Sequence, residues 1–235
     1  MPQPLKNVII GGCGVVVDDD SKREVYHVST AHALIQAAGY LKFVEGAKRQ
    51  AVFFRGQRKL YGSLSPTLYR GISTQKAQSS RSNAISDACR LIARENAIFD
   101  QVPPEAHEAL LQHYGLNTSW IDLVDNIWVA LWFACHQAKA VGDYGQFLHF
   151  ERRNPSDERF PFAYILLVAT DLRPSAPFVP GLWRGPNTEL IDLRVAAPSI
   201  FLRPHAQHGV LFRMRADNRM RPFDYTSQGL CCITR

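Results

Sequence analysis

The chain has 235 residues, 46% of them hydrophobic and 20% charged, the balance of a globular protein with a sizeable core and not of a disordered or fibrous chain. Its 27 Lys and Arg against 21 Asp and Glu leave a formal net charge of +6, which favours polyanionic partners such as nucleic acid or nucleotide phosphates, although no basic run dominates. Five cysteines, two of them adjacent and none at a repeating spacing, argue against a disulfide framework and for a reducing cytoplasm. The longest apolar run, residues 127–135, is far too short to span a bilayer, and residues 7–17 lack the small-residue cleavage site of a signal peptide.

The first element expected is a strand or hairpin arm over residues 8–17, bent at its glycines. Ser29 suits the N-cap of a helix over residues 30–45, with Leu34, Ala37, Ala38, Leu41 and Val44 on one stripe and Gly46 at its end. Residues 51–54 then read as a short buried strand that delivers Arg55-Gly56 at its C-terminal end. Residues 73–83 are polar enough to be a mobile loop, and a second helix follows over 82–99 with Ile85, Ala88, Cys89, Ile92 and Ala93 at helical spacing. Pro103-Pro104 opens a third helix, whose apolar stripe of Ala106, Ala109 and Leu110 is extended by His113, with Gly115 as its C-terminal cap. Asp125 or Asn126 caps a fourth, running to about residue 140; it is apolar on every side and therefore expected to be central and buried.

After Gly142 the pattern changes to strands, at residues 146–152, 162–170, 189–195, 210–216 and 230–234. Helices early and strands late predict an α+β fold, with N-terminal helices packed on a mostly antiparallel mixed sheet. The early strand holding Arg55 is expected to pair with later ones. That favours one domain over residues 1–235, helix-rich across 29–140 and strand-rich across 144–235.

Two stretches join polar side chains to a glycine beside an apolar run: Phe54-Arg55-Gly56-Gln57 and Gln112-His113-Tyr114-Gly115-Leu116-Asn117-Thr118. An arginine at a strand end offers a bidentate guanidinium to phosphate or carboxylate, and Gly56 would let a ligand approach the backbone. The structural alternative pairs Arg55 with a core-edge carboxylate such as Asp122. His113, on an apolar stripe, reads by itself as a satisfied core histidine; the functional expectation rests on its cluster with Tyr114, Thr118 and Asp122. His205 and His208 lack further ligands at metal spacing, so no metal is predicted. The side chains of Cys135 and His136 point apart on a helix, and the 11–14 glycine cluster lacks the dinucleotide fingerprint. Arg213, Arg215, Arg219 and Arg221 around residues 217–218 suggest a basic hairpin edge.

The chain resembles FRG-domain proteins in three ordered blocks. The first is Phe54-Arg55-Gly56-Gln57 with Leu64-Ser65-Pro66-Thr67-Leu68-Tyr69-Arg70. The second runs from Leu111 through Asp122 and on to Ala130-Leu131-Trp132-Phe133-Ala134. The third is Arg203 with Gln207-His208-Gly209 and Phe212. It departs from the family where Asn117-Thr118-Ser119 replaces proline, threonine and arginine, and where Asp122-Leu123-Val124 replaces aspartate, tryptophan and threonine. The resemblance implies a bacterial setting, including phage defence and toxins, with a protein target or antitoxin among the partners.

A looser analogy is to ADP-ribosyltransferases of the arginine–serine–glutamate type, and it implies an ADP-ribosyltransferase-like core. On that analogy Arg55 grips a pyrophosphate, Thr118-Ser119 orient the ribose, and Glu189 or Gln207 takes the late catalytic place. The catalytic candidates are thus His113, Glu189 and Gln207. The substrate-binding candidates are Arg55, Gly56, Gln57, Tyr114, Thr118, Ser119 and Asp122. The implied reaction is ADP-ribosyl transfer or NAD hydrolysis, with NAD as substrate. The alternatives are a non-catalytic nucleotide or nucleic-acid module and a protein-interaction domain.

Overall fold

The computed structural model describes residues 13–17, 24–47, 51–61, 63–143, 147–154, 162–170, 177–215, 225 and 229–234. In chain order the elements are β1 (Cys13–Val17), β2 (Glu24–Val28), α1 (Ala31–Ala47), β3 (Ala51–Gln57), α2 (Gln75–Glu95), α3 (Pro104–Gln112), β4 (Ile121–Val124), α4 (Ile127–Cys135), β5 (His136–Val141), β6 (Phe147–Arg152), β7 (Ala163–Thr170), β8 (Leu182–Arg184), β9 (Thr188–Asp192), α5 (Leu193–Ala196), α6 (Leu202–Ala206), β10 (Gly209–Met214) and β11 (Gly229–Thr234). Nine strands form one sheet in the order β1-β2-β11-β7-β3-β4-β10-β9-β8, and β5 and β6 pair as a separate ribbon. All pairings are antiparallel except β11 with β2. The fold is α+β, and the sheet interleaves early strands with late ones. Among the described residues no helix is long and apolar enough to cross a membrane.

Strand β7 sets the two faces. With a side-chain period of two, Ala163, Ile165 and Leu167 pack with Leu34, Ala37 and Leu41 of α1 and with Ala130 and Ala134 of α4. Tyr164, Leu166 and Val168 pack with Val25, Ile121, Leu123 and Phe212 instead. A third cluster joins α2 and α3 to the β9–β10 end through Cys89, Leu110, Trp120, Ile191 and Leu211.

Several expectations change. The strand expected over 51–54 runs to Gln57, so Arg55 and Gly56 lie within β3 and not past its end. The segment expected to be a mobile loop opens α2, because Thr74 Oγ1 accepts from the Ala77 N–H at 3.3 Å. That polar turn is tied down from below: Arg81 Nη1 donates to the carbonyls of Leu68 and Arg70 at 2.8 and 3.0 Å, and Tyr69 and Ser82 share a hydroxyl bond at 3.0 Å. The helix then ends at Glu95, short of the expected Phe99, which lies in a 3-10 turn.

The fourth helix stops at Cys135 and the chain turns extended into β5, so residues 136–140 are strand. Nor is it buried all round: Ala130 and Ala134 are fully buried, but Trp128 is 50% and Trp132 39% exposed. The strand expected over 189–195 ends at Asp192, whose Oδ1 accepts from the Arg194 N–H at 2.9 Å and caps α5. Strands β2, β4, β5 and β8 were not foreseen. The glycine cluster at 11–12 and the turn carrying Arg219 and Arg221 lie outside the described residues.

Candidate functional site

Strands β3 and β4 share one register pair, Phe54 with Val124. Beyond it Arg55 Nη1 donates to the main-chain carbonyl of Asp122 at 2.7 Å. The expected pairing of Arg55 with the Asp122 side chain is thus replaced by a bond to its backbone, although the carboxylate still acts on Arg55 electrostatically. Burial lowers the Arg55 pKa and Asp122 works the other way; a guanidinium keeps its charge regardless.

Two adjoining cavities, of about 600 and 290 Å³, meet at a common wall of Arg55, Gly56, Asp122, Phe133 and Ala138. The larger is also lined by Gln57, Arg58, Tyr61, Thr67, Arg70 and Trp120. The smaller is also lined by Phe54, Gln112, His113, Phe150, Arg203 and Gln207. Arg55, His113 and Gln207, remote in sequence, therefore share one cleft. Four arginines and one carboxylate line it, so its balance is cationic.

His113 sits at the C-terminal end of α3, where Arg203 Nη1 donates to its carbonyl at 2.6 Å and satisfies one of the helix's free acceptors. Its ring is buried and packs against Gly209 at the start of β10, where a Cβ would lie 3.2 Å from His113 Cε1 and Nε2. That contact explains a glycine after Gln207-His208. His113 Nε2 lies 3.8 Å from Asp122 Oδ1. Burial pushes the imidazole pKa down and Arg203 adds to this, while Asp122 and the Gln207 side chain oppose it. The net result is a ring held neutral to lower pH than a free histidine.

Three buried nitrogens in this cleft have no hydrogen-bond partner: Arg55 Nε, His113 Nε2 and Trp120 Nε1. Buried polar atoms are ordinarily satisfied, and leaving one unpaired costs about 1–3 kcal/mol. All three atoms belong to residues that line the cleft.

The other predicted site residues divide. Gln57 lines the larger cavity. Gly56 has a different reason from the one expected: a Cβ there would sit 1.8 Å from the Ala130 carbonyl oxygen and 2.8 Å from Ala134 N, so the glycine lets α4 lie directly on β3. Thr118 is fully buried, and its hydroxyl is bonded to Gln112 Oε1 while accepting from the Trp120 N–H at 3.2 Å. It braces the site from behind and does not line it. Ser119 is buried too, with its N–H on Glu108 Oε1 at 2.7 Å and its carbonyl under the Tyr225 hydroxyl at 3.1 Å. Tyr114 is half-exposed outside the cleft and packs edge-on against Phe201.

Glu189 is the clearest displacement. It lines neither cavity of the cleft; on β9 it is buried between Arg184, at 2.8 Å, and Arg213, which also reaches Glu108 at 3.4 Å. Burial works against its charge, but Arg213 and then Arg184 hold the carboxyl below the ordinary range. A carboxylate so paired is an anchor for β8, β9 and β10.

Tyr61 and Phe150 line the cleft as well, and nothing in the local sequence pattern says that these two rings will face it. Residue-type reasoning also passed over a second polar cluster. There Arg194 bonds Asp192 through two nitrogens at 2.7 and 2.9 Å, Asp125 at 2.8 Å and His208 Nδ1 at 3.1 Å. Among the described residues no group of His, Cys, Asp and Glu is arranged to hold a metal ion.

The family model of the FRG domain matches residues 50–142. That segment supplies Arg55, His113 and Asp122; Arg203, Gln207 and Gly209 come from beyond it. No curated protein and no solved structure matches the chain.

Proposed function

We propose that this chain, which carries an FRG domain over residues 50–142, is a nucleotide-using enzyme whose cleft takes NAD or a related dinucleotide for ADP-ribosyl transfer or NAD hydrolysis. The observation that carries the reading is the position of Arg55. Its guanidinium stands on the wall common to both cavities, one nitrogen committed to Asp122 and another buried without a partner. A phosphate is the ligand that matches this fork, because it accepts several charge-assisted hydrogen bonds at once. With a pyrophosphate held there, the aromatic and amide groups of the smaller cavity suit a base, and Tyr61, Arg58 and Arg70 suit the other half of the dinucleotide.

The setting we propose is a cytoplasmic bacterial toxin or phage-defence protein, with a protein target or antitoxin as partner. The placement of Glu189 favours one alternative specifically: a catalytically silent module that binds nucleotide or nucleic acid. The carboxylate that the transferase analogy puts late in the chain is tied up by two arginines.

Nicotinamide release separates the two. Incubated with NAD, the enzyme liberates free nicotinamide, measured by chromatography. The silent module liberates none and instead retains single-stranded nucleic acid in a salt-sensitive manner.

A further inference from the structure

We propose that Asp122, and not Glu189, is the charge-stabilising carboxylate of the reaction, working beside His113 as the proton acceptor; this rests on the nucleotide-using reading above. Four facts converge on it. Asp122 is the one carboxylate that lines the cleft among the described residues, and it lines both cavities. Its side chain is 52% exposed, and the buried His113 Nε2 faces it at 3.8 Å, beyond hydrogen-bond reach. Its main-chain carbonyl is fixed by Arg55, so the phosphate-gripping residue and the carboxylate are positioned by one hydrogen bond. Finally, the acids Glu108 and Glu189 are both engaged by Arg213.

A carboxylate in a cleft otherwise cationic works against the binding of a phosphorylated ligand. It lowers affinity in the ground state and is useful where positive charge develops in the transition state. When the bond between ribose C1′ and the pyridinium nitrogen breaks, its electron pair leaves with nicotinamide and positive charge appears on C1′ and the ring oxygen. Asp122 offsets that charge. A water, or an acceptor hydroxyl, forms the new C1′–O bond, and its proton passes to His113 Nε2 and then to solvent. With water the products are ADP-ribose, nicotinamide and one proton. The neutral state that burial imposes on His113 suits it to accept this proton. Gly209 keeps the ring in place.

The test compares wild type, Asp122→Asn and Asp122→Glu in the full chain, by calorimetry with ADP-ribose and by single-turnover nicotinamide release from NAD. Wild type is expected to bind and to react. Asp122→Asn is expected to bind ADP-ribose at least as tightly, because a repulsive charge is gone, while release slows by about 10²–10³-fold, the scale for one lost electrostatic group. Asp122→Glu, which restores the charge, is expected to recover part of the rate and to show that loss does not come from misfolding. An Asp122→Asn protein that reacts within about threefold of wild type, or one that also loses ADP-ribose, overturns the assignment while leaving the nucleotide reading intact. Wild type that binds ADP-ribose but never releases nicotinamide overturns it in favour of the silent module. Wild type that neither binds nor reacts removes both.

Discussion

His113 Nε2 faces the Asp122 carboxylate at 3.8 Å and both residues line the smaller cavity, one on the exit of α3 and the other in the middle of β4. The two come together because α3 ends against β10 and β10 pairs with β4, so the site is a product of the sheet and not of either motif separately.

The histidine predicts a pH dependence of stability. Its folded pKa lies below the unfolded value of about 6.5, with burial as the main cause. Above the unfolded value both states are neutral and the ring contributes nothing. As pH falls below about 6.5 the unfolded chain takes up a proton that the folded chain refuses, so stability declines until the folded pKa is passed. Urea denaturation between pH 8 and 5 is expected to show this slope in wild type and a flatter profile in His113→Gln.

Glu189 predicts a second, lower window. Its folded pKa is depressed, so its contribution is complete above the unfolded carboxylate value and is lost as pH falls through the folded one. Glu189→Gln is expected to cost about 3 kcal/mol at neutral pH, since it leaves Arg213 and Arg184 short of a buried partner, and to weaken the acid-induced loss of stability. Thermal denaturation at pH 7 and pH 4 reads both effects. Nucleotide binding by the folded variant is expected to be unchanged.

Gly56 predicts a steric effect. The Cβ of Gly56→Ala would lie 1.8 Å from the Ala130 carbonyl oxygen, a rigid backbone atom, so α4 must lift from β3. A loss of at least about 3 kcal/mol is expected from equilibrium denaturation. Gly209→Ala is a milder companion. Its contacts at 3.1–3.2 Å include the Pro204 carbonyl and the His113 ring, which must shift by a few tenths of an ångström.

Elements with a strong period were legible from the residues. The α1 stripe, the β3 apolar run, Pro104 at the start of α3 and the strand read over residues 162–170 all formed about where the pattern puts them. The failures have physical causes. Residues 75–83 are serine-rich and polar, and they are helical because Thr74 caps them and Arg81 ties them to Leu68 and Arg70. The end of α4 is hidden because Phe133 through Ala138 is apolar enough for either element; the pairing of β5 with β6 decides it. β4 is four residues long, too short to show a period, yet it carries Asp122.

In the site, Arg55, His113, Asp122 and Gln207 were identifiable as polar groups beside glycines and apolar runs, and they line one cleft. The fate of Glu189 was not legible. Nothing in the local pattern says that Arg213, on the neighbouring strand, will stand beside it. Thr118 was misread for a similar reason, since its hydroxyl is bonded to Gln112 on the preceding helix.

The most direct test of the nucleotide-binding cleft is calorimetric titration of ADP-ribose into wild type and Arg55→Ala, with a thermal melt of each. Saturable binding by wild type is expected. In the variant, affinity is expected to fall by about 1.5–3 kcal/mol for each charge-assisted bond lost, roughly 10- to 150-fold, with its melting transition still cooperative. Equal affinity in the two proteins, or no binding by a folded wild type, would contradict the account.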